Sequence, residues 1–101
     1  MASRLELHEE LCKLLGSRNV YFQPPSSIKM KYPAIVYSLD TFENRHANDS
    51  VYSQNTRYSL TYIDLDPDNV KAREISKLPY CRFNRFYTAD NLNHYTYTIY
   101  Y

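Results

Sequence analysis

The stretch HYTYTIYY, residues 94–101, alternates between two kinds of side chain, as a half-buried β-strand does. Successive side chains of a strand point to opposite faces. One face therefore receives Tyr95, Tyr97, Ile99 and Tyr101, and the other receives His94, Thr96, Thr98 and Tyr100. Threonine suits a solvated or strand-paired surface, so we expect the tyrosine face to lie beneath helices. A ladder covered in this way fills a core and cannot be a platform for stacked bases.

An amphipathic helix is predicted near the amino terminus. Leu7 and Leu11 belong to a leucine stripe at helical spacing, which predicts a helix over residues 2–15. Ser3 is placed to cap its start, and Gly16 is placed to end it in a left-handed conformation.

The acidic stretch DLDPDN, residues 64–69, looks like the start of a calcium loop. The sixth position, where such a loop needs glycine, is Asn69, and the twelfth, where it needs glutamate, is Ile75. We therefore predict no metal here. The interpretation we favour is a second helix over 67–78, capped by Asp66 and with a proline at its first position.

The remaining segments predict a sheet. The polar stretch NRHANDS, residues 44–50, has no periodicity and is predicted to be a loop or a flexible hairpin tip, and TADN, residues 88–91, is predicted to be the turn of a terminal hairpin. Strands rich in aromatic and β-branched residues are predicted at 19–23, 34–43, 52–64, 81–88 and 93–101.

This order predicts an α+β fold. Because the strands are gathered in runs with few crossovers, we expect an antiparallel or mixed sheet of about five strands, with two helices packed on one face in the order α-β-β-β-α-β-β. A chain of 101 residues suits a single domain spanning residues 1–101.

The composition excludes several classes of function. The net charge is +1, so the protein has no strong positive potential that would attract nucleic acid. Gly16 is the only glycine, which disfavours a glycine-rich phosphate loop. No apolar run approaches the ~18 residues of a membrane span. The charged start MASRLELHEE does not resemble a signal peptide, so we expect reduced thiols at Cys12 and Cys81 in a cytoplasmic setting.

No catalytic pattern stands out. The histidines His8, His46 and His94 are scattered, without metal-ligand spacing, so neither metal nor cofactor is expected. A dyad of Cys81 and His94 across the last hairpin is conceivable, although a buried, inert Cys81 is the commoner case. We therefore predict that the protein is not an enzyme.

An RNA-binding domain is the alternative from a different class. Its signal is a basic run followed by aromatic strands, because sheet-borne aromatics beside a basic rim can stack bases. The same cations alternate with packing positions, which favours a plain solvated face. The run consists of Lys71, Arg73, Lys77, Arg82 and Arg85, opposed by Glu74.

Taken together, the segments YPAIVYSLD, NRHANDS, YSLTYIDLDPD, KLPYCRF and FYTADNLNHYTYTIYY resemble the small neck and tail-completion proteins of long-tailed phages, most of all the tail terminators. The resemblance covers nearly the whole chain from about residue 5 and includes no catalytic motif.

The resemblance implies a structural role in the virion, reached through the host cytoplasm during assembly. Such proteins form a ring, typically six-fold, that caps the tail tube, halts its growth and joins the tail to the head connector or head-closure protein. DNA passes near the lumen of such a ring. A head-closure or head–tail joining protein of the neck is the nearest alternative.

A ring subunit needs contact surfaces, and we predict two kinds. Polar arms at residues 23–32 and 44–56 can reach a neighbour, and the terminal strand carries few devices that block edge pairing. The predicted oligomer or partner contacts are Arg45, His46, Asn48, Asp49, Arg57, Thr96, Thr98 and Tyr100.

Overall fold

The structure is a computed structural model that describes residues 4–47 and 50–101, with the backbone alone for residues 42–47 and 50–55. The predicted α+β class and element order are confirmed. The elements are α1 (Arg4–Leu15), β1 (Val20–Phe22), β2 (Ala34–Ala47), β3 (Ser50–Asp64), α2 (Lys71–Ser76), β4 (Cys81–Ala89) and β5 (Leu92–Tyr100).

The five strands form one mixed sheet in the order β1-β2-β3-β5-β4. The strand β1 runs parallel to β2, and every other neighbouring pair is antiparallel. The terminal strand β5 lies between β3 and β4, so the prediction that it offers a free edge is wrong. Alternation marks a strand with one covered face, but it does not distinguish a central strand from an edge strand. The edges of this sheet are β1 and β4.

Helix α1 packs its leucine stripe onto the sheet. Leu7 and Leu11 are fully buried, and Leu15 is nearly so. Gly16 adopts a φ of 79° and donates its backbone N–H to the Cys12 carbonyl at 2.9 Å, which is the predicted left-handed ending. The predicted cap, Ser3, lies outside the described residues.

The tyrosine face of β5 lies in the core, as predicted. Tyr97 and Ile99 are each 1% exposed, while Tyr95 and Tyr101 are partly buried against the same cluster. The Tyr97 hydroxyl donates to the Ala72 carbonyl of α2 at 2.6 Å. A buried hydroxyl needs such a partner, and this one fastens α2 to the middle of the sheet.

Helix α2 is shorter than predicted, because residues 67–70 form turns instead of a first helical turn. The Asp66 carboxylate accepts the Asp68 N–H at 2.9 Å and caps nothing. Helix α2 begins after Val70, and the side-chain oxygen of Asn69 accepts the Ala72 N–H at 3.1 Å. Short polar side chains that bond their own backbone compete with helix formation, and here they delay it.

The stretch predicted as a loop or flexible tip is paired strand at residues 44–47 and at residue 50. The register continues from Glu43–Asn55 to Ala47–Ser50. Polar residues without periodicity resemble a loop in the sequence, and this pattern does not report the backbone pairing that they make. We call residues 42–47 and 50–55 the ribbon.

The ribbon extends past the rest of the sheet. Strand β1 reaches only to Tyr37 of β2, and the pairing of β5 with β3 ends at Arg57. Beyond Thr56, whose carbonyl accepts the Tyr101 N–H at 3.0 Å, the two strands of the ribbon pair only with each other among the described residues. The molecule measures 52 × 28 × 23 Å along its principal axes.

Candidate assembly surfaces

Both helices cover the same face of the sheet, and we call the opposite face the open face. The buried residues Ile35, Tyr37, Leu60 and Tyr97 share one pleat direction, so their neighbours along each strand point away from the helices. The open face carries the buried residues Ala34 and Ile63 and the more exposed residues Tyr21, Val36, Ser38, Thr41, Arg57, Ser59, Thr61, Arg82, Arg85, Tyr87, His94, Thr96, Thr98 and Tyr100.

The open face brings together four of the eight predicted contact residues: Arg57, Thr96, Thr98 and Tyr100. Arg57 and Tyr100 are directly paired across β3 and β5. The guanidinium Nε of Arg57 donates to Asp40 Oδ2 at 2.8 Å, and its Nη1 lies 3.5 Å from the Tyr100 hydroxyl oxygen. The Tyr100 hydroxyl and the Asp40 carboxylate both raise the pKa of Arg57. The ion pair is solvent-exposed and adds little to stability, but it marks the junction where the ribbon leaves the sheet.

The two threonines of this set already have structural partners. The Thr98 hydroxyl accepts a hydrogen bond from Asn84 Nδ2 at 2.6 Å. The Thr96 hydroxyl donates to the Arg85 carbonyl at 3.1 Å and accepts from the Arg85 N–H at 3.2 Å. Both sets of bonds hold a β-bulge, because the register of β4 against β5 shifts between Phe83 and Arg85. The threonine hydroxyls are therefore used within the β4–β5 pair, whereas Arg57 and Tyr100 bond each other and Asp40 at the base of the ribbon.

The other predicted contacts lie along the ribbon or outside the described residues. Arg45 and His46 belong to β2, where the backbone pairs with Ser53 and Val51. Arg45 is about 13 Å along the strand from Thr41, the residue paired with Arg57, at 3.3 Å per residue. The predicted contacts at Asn48 and Asp49 lie outside the described residues.

The segment predicted as a polar arm at 23–32 is tied to the sheet. The Gln23 N–H donates to the Tyr37 carbonyl at 2.9 Å, and the Gln23 side-chain oxygen accepts the Leu39 N–H at 3.0 Å. The Lys31 N–H donates to the Tyr21 hydroxyl at 3.3 Å. These bonds hold the segment against β1 and β2, so of the two predicted arms only the ribbon extends beyond the sheet.

Sequence reasoning missed the outer edge of the sheet. Seven of the nine residues of β4 are exposed. Phe83 and Phe86, which point to the helix side, remain 47% and 50% exposed. A groove of about 390 Å³ lies between β4 and α2. The signal that points to this surface is the alternation of arginine and phenylalanine in CRFNRFYTA, residues 81–89.

The sequence hypothesis of a cysteine–histidine dyad is wrong. Cys81 pairs with Ile99, whereas His94 pairs with Tyr87, five residues earlier along β5. That separation is about 17 Å at 3.4 Å per residue. Burial raises the pKa of the Cys81 thiol to about 11, so this cysteine is a poor nucleophile at neutral pH.

The acidic stretch uses its carboxylates within the fold. Asp64 is buried, accepts the Tyr62 hydroxyl at 2.7 Å on one oxygen and accepts the Asp66 N–H at 3.0 Å on the other. Among the residues whose side chains the structure describes, no group of three His, Cys, Asp or Glu is arranged to hold a metal ion.

No protein-family model and no curated protein sequence matches the chain. Within the part of the chain that the structure describes, no helix is long and apolar enough to cross a bilayer.

Proposed function

We propose that the protein is a phage tail terminator: a structural virion protein whose copies form a ring that caps the tail tube and joins the tail to the head connector. The proposed partners are further copies of this chain, the tail tube protein, and the connector or head-closure protein. The ring is six-fold in the proteins that the sequence resembles, and DNA would pass through its lumen. The observation that carries the proposal is the ribbon.

The ribbon is a two-stranded hairpin that extends about 20 Å beyond the strands that flank it, at six residues and 3.3 Å per residue. An isolated two-stranded hairpin is marginally stable in water, because it buries little apolar surface. A third strand or a packing surface stabilises such a hairpin, and within the described backbone neither β1 nor β5 pairs with the ribbon. A neighbouring subunit or the end of a tube is well suited to supply one.

A heterologous contact made by such an arm propagates from subunit to subunit and closes when its rotation divides a full turn. This geometry supports a ring for the terminator and equally for the nearest alternative, a head-closure protein of the neck. The two differ in which structure the ring caps, which makes the end of the tail tube the place to look.

The RNA-binding alternative has less support. Its stacking platform would be the aromatic face of the sheet, and Tyr97 at the centre of that face is covered by α2. The arginines of β4 lie on the open face, away from that ladder. Undetectable binding of single-stranded RNA at physiological salt is the expected result, whereas tight, strongly salt-dependent binding would favour this alternative.

The experiment replaces residues 44–54 by Asn-Gly, which joins the paired residues Glu43 and Asn55 through a two-residue turn. The removed segment contains one arginine and one aspartate, so the formal net charge stays at +1. The core residues are untouched, and the melting temperature should change by only a few degrees. The matched control is Lys13→Glu, which alters an exposed position of α1 and leaves the ribbon intact.

Wild type and control, mixed with tail tubes and imaged by electron microscopy, should show one ring at the head-proximal end of each tube. The shortened variant should leave the tubes uncapped. Capping by the shortened variant would show that the ribbon is not required for capping the tube. Failure of the wild-type protein to cap tubes at any concentration would refute the tail-terminator proposal, and a ring found only on the connector would favour the head-closure role.

A further inference from the structure

Strand β4 is a long edge strand of the sheet. It is nine residues long, and a strand at a sheet edge presents unpaired N–H and C=O groups along its outer side. The opposite edge, β1, is only three residues long and is followed by Pro24 and Pro25, which cannot donate to a ladder. Of the two edges, β4 is the one on which another strand can form a ladder.

The helix side of β4 is apolar. The rings of Phe83 and Phe86 rest on Tyr97 and Tyr95, with centroid distances of 5.5 and 5.0 Å, and about half of each phenylalanine is still exposed. The groove beside them is walled by α2, from which Ala72 contributes to the lining. An apolar side chain entering from an added strand would bury these half-exposed rings.

The open side of β4 is basic. Arg82 and Arg85 are exposed, and neither forms an ion pair with any residue whose side chain the structure describes. The Arg85 guanidinium lies 4.9 Å from the centroid of the Tyr87 ring, which orients it by a cation–π contact. No residue of β4 is acidic. The strand therefore presents two cations on one side and two aromatic rings on the other.

The two arginines and the bulge of β4 limit which strands can pair with its outer edge. Two copies of β4 paired with each other would bring the arginines of both copies onto the same face, and like charges opposed across a ladder are destabilising. Cations and a bulge on an edge are devices by which proteins discourage indiscriminate pairing. The bulge at Asn84 also divides the edge into Cys81–Phe83 and Arg85–Ala89, of which the second is the longer uninterrupted run.

We propose that β4 binds an extended segment of another protein in which acidic residues alternate with apolar ones. The segment adds a sixth strand to the sheet: its backbone bonds the free edge, its acidic side chains meet Arg82 and Arg85, and its apolar side chains pack on Phe83 and Phe86 beside the groove. This inference rests on the edge strand alone and stands or falls separately from the ring function.

The test is an NMR titration of the whole, isotope-labelled protein with a capped peptide of about ten residues in which glutamate and valine alternate, at about 0.15 M salt. Three control ligands separate the contributions: alternating lysine and valine, alternating glutamate and serine, and a short single-stranded DNA. The protein variants are Arg82→Glu with Arg85→Glu, matched by Lys13→Glu with Lys29→Glu, and Phe86→Ser, matched by Leu5→Ser at another exposed apolar position.

The glutamate–valine peptide should shift the amide signals of β4 and slow their hydrogen exchange. Reversing both arginines should weaken binding on the order of tenfold or more, since two charge pairs become repulsions, and the same variant should gain binding to the lysine–valine peptide. Phe86→Ser should weaken binding, and both matched controls should behave as wild type.

Five results would overturn the proposal, of which four concern the choice of ligand or surface. They are equal binding of the lysine and glutamate peptides to wild type, signal changes confined to another surface, tighter binding of DNA than of the peptide, and self-association through β4 in place of peptide binding. Failure of the peptide to bind at millimolar concentration would overturn it as well. Because the charge-reversed variant must gain a new ligand, a variant that merely misfolds cannot imitate the expected result.

Discussion

Replacing Tyr62 by phenylalanine tests how the acidic stretch is used. Tyr62 is fully buried, and its hydroxyl donates to the carboxylate of Asp64, which is itself 8% exposed. Burial and the bond to Asp64 both raise the pKa of Tyr62, so the hydroxyl keeps its proton and remains a donor. Phenylalanine preserves the ring and its packing but removes the donor. A buried carboxylate then loses one of its two protein partners.

The expected cost follows from the charge of the acceptor. A hydrogen bond to a charged group contributes about 1.5–3 kcal/mol, against about 0.5–1.5 kcal/mol for a neutral pair. A loss of about 2 kcal/mol lowers the melting temperature of a domain of this size by about 8–16 °C. Tyr97→Phe is the matched control, because it makes the same chemical change opposite the neutral carbonyl of Ala72; it should cost about 1 kcal/mol.

Urea unfolding of four proteins measures the difference: wild type, Tyr62→Phe, Asp64→Asn and the double variant. In the Asp64→Asn background the acceptor is neutral, so Tyr62→Phe should cost about 1 kcal/mol there. The reasoning is refuted if Tyr62→Phe lowers the free energy of unfolding no more than Tyr97→Phe does, or lowers it equally in both backgrounds. Either result would mean that the bond to the Asp64 carboxylate is no stronger than a bond to a neutral acceptor.

Three further predictions concern titration and metal binding. Calorimetry with calcium should give no stoichiometric heat for wild type or Asp66→Asn, because the carboxylates of this stretch already accept backbone N–H groups; a micromolar site lost in the variant would contradict this. Burial, followed by the charges of Arg4 and Arg18, lowers the pKa of His8 below 6.5, so the unfolded chain takes up this proton at a higher pH than the folded chain does. The contribution of His8 to stability should therefore be constant well above pH 6.5 and should fall as the pH drops below 6.5. His8→Gln should lose that part of the pH dependence when urea unfolding is compared at about pH 7.5 and about pH 5, and an unchanged slope would refute the assignment. The Cys81 pKa of about 11 leaves on the order of one thiolate in ten thousand at pH 7, so a thiol reagent should label it far more slowly than a free cysteine peptide, and faster labelling would show an accessible thiolate.

Patterns with a buried face were readable from the sequence. The alternation over 94–101 and the leucine stripe of α1 report contact with a core, and both predictions are confirmed. The terminal turn was equally readable, since Asp90 and Asn91 adopt φ values of 52° and 62°, which suits their short polar side chains in a two-residue hairpin loop.

The elements that were misread are those that local pattern does not determine. Whether β5 is central or at an edge depends on pairing on its second side, and nothing in its own residues reports that. The start of α2 depends on a competition between Asx-type turns and a helix cap, both of which use Asp66. Residues 44–50 were predicted to be a loop or a flexible hairpin tip because they show no periodicity, and the sequence pattern does not report the backbone pairing that the ribbon makes.

The positions of the predicted contact residues follow the same rule, and their role in contacts stays a prediction. Arg57, Thr96, Thr98 and Tyr100 lie together because strand alternation places them on one face. The sequence does not reveal the β4 edge, because Arg82 and Arg85 follow the cations of α2 closely and read as one basic run with them. The sheet order separates them from that helix and sets them beside two exposed phenylalanines.

Two irregularities in the pairing of β2 with β3 determine where the ribbon points. The register shifts once between Leu39 and Thr41, where β2 carries the extra residue Asp40, and again between Arg45 and His46, where the extra residue is in β3. Each such insertion bends its strand and increases the local right-handed twist. The β2–β3 pair therefore carries one such insertion at the base of the ribbon and a second within it. In a ring built from this subunit, the angle between neighbours would be encoded by these insertions, so that removing Asp40 would alter the number of subunits needed to close the circle before it abolished contact between them.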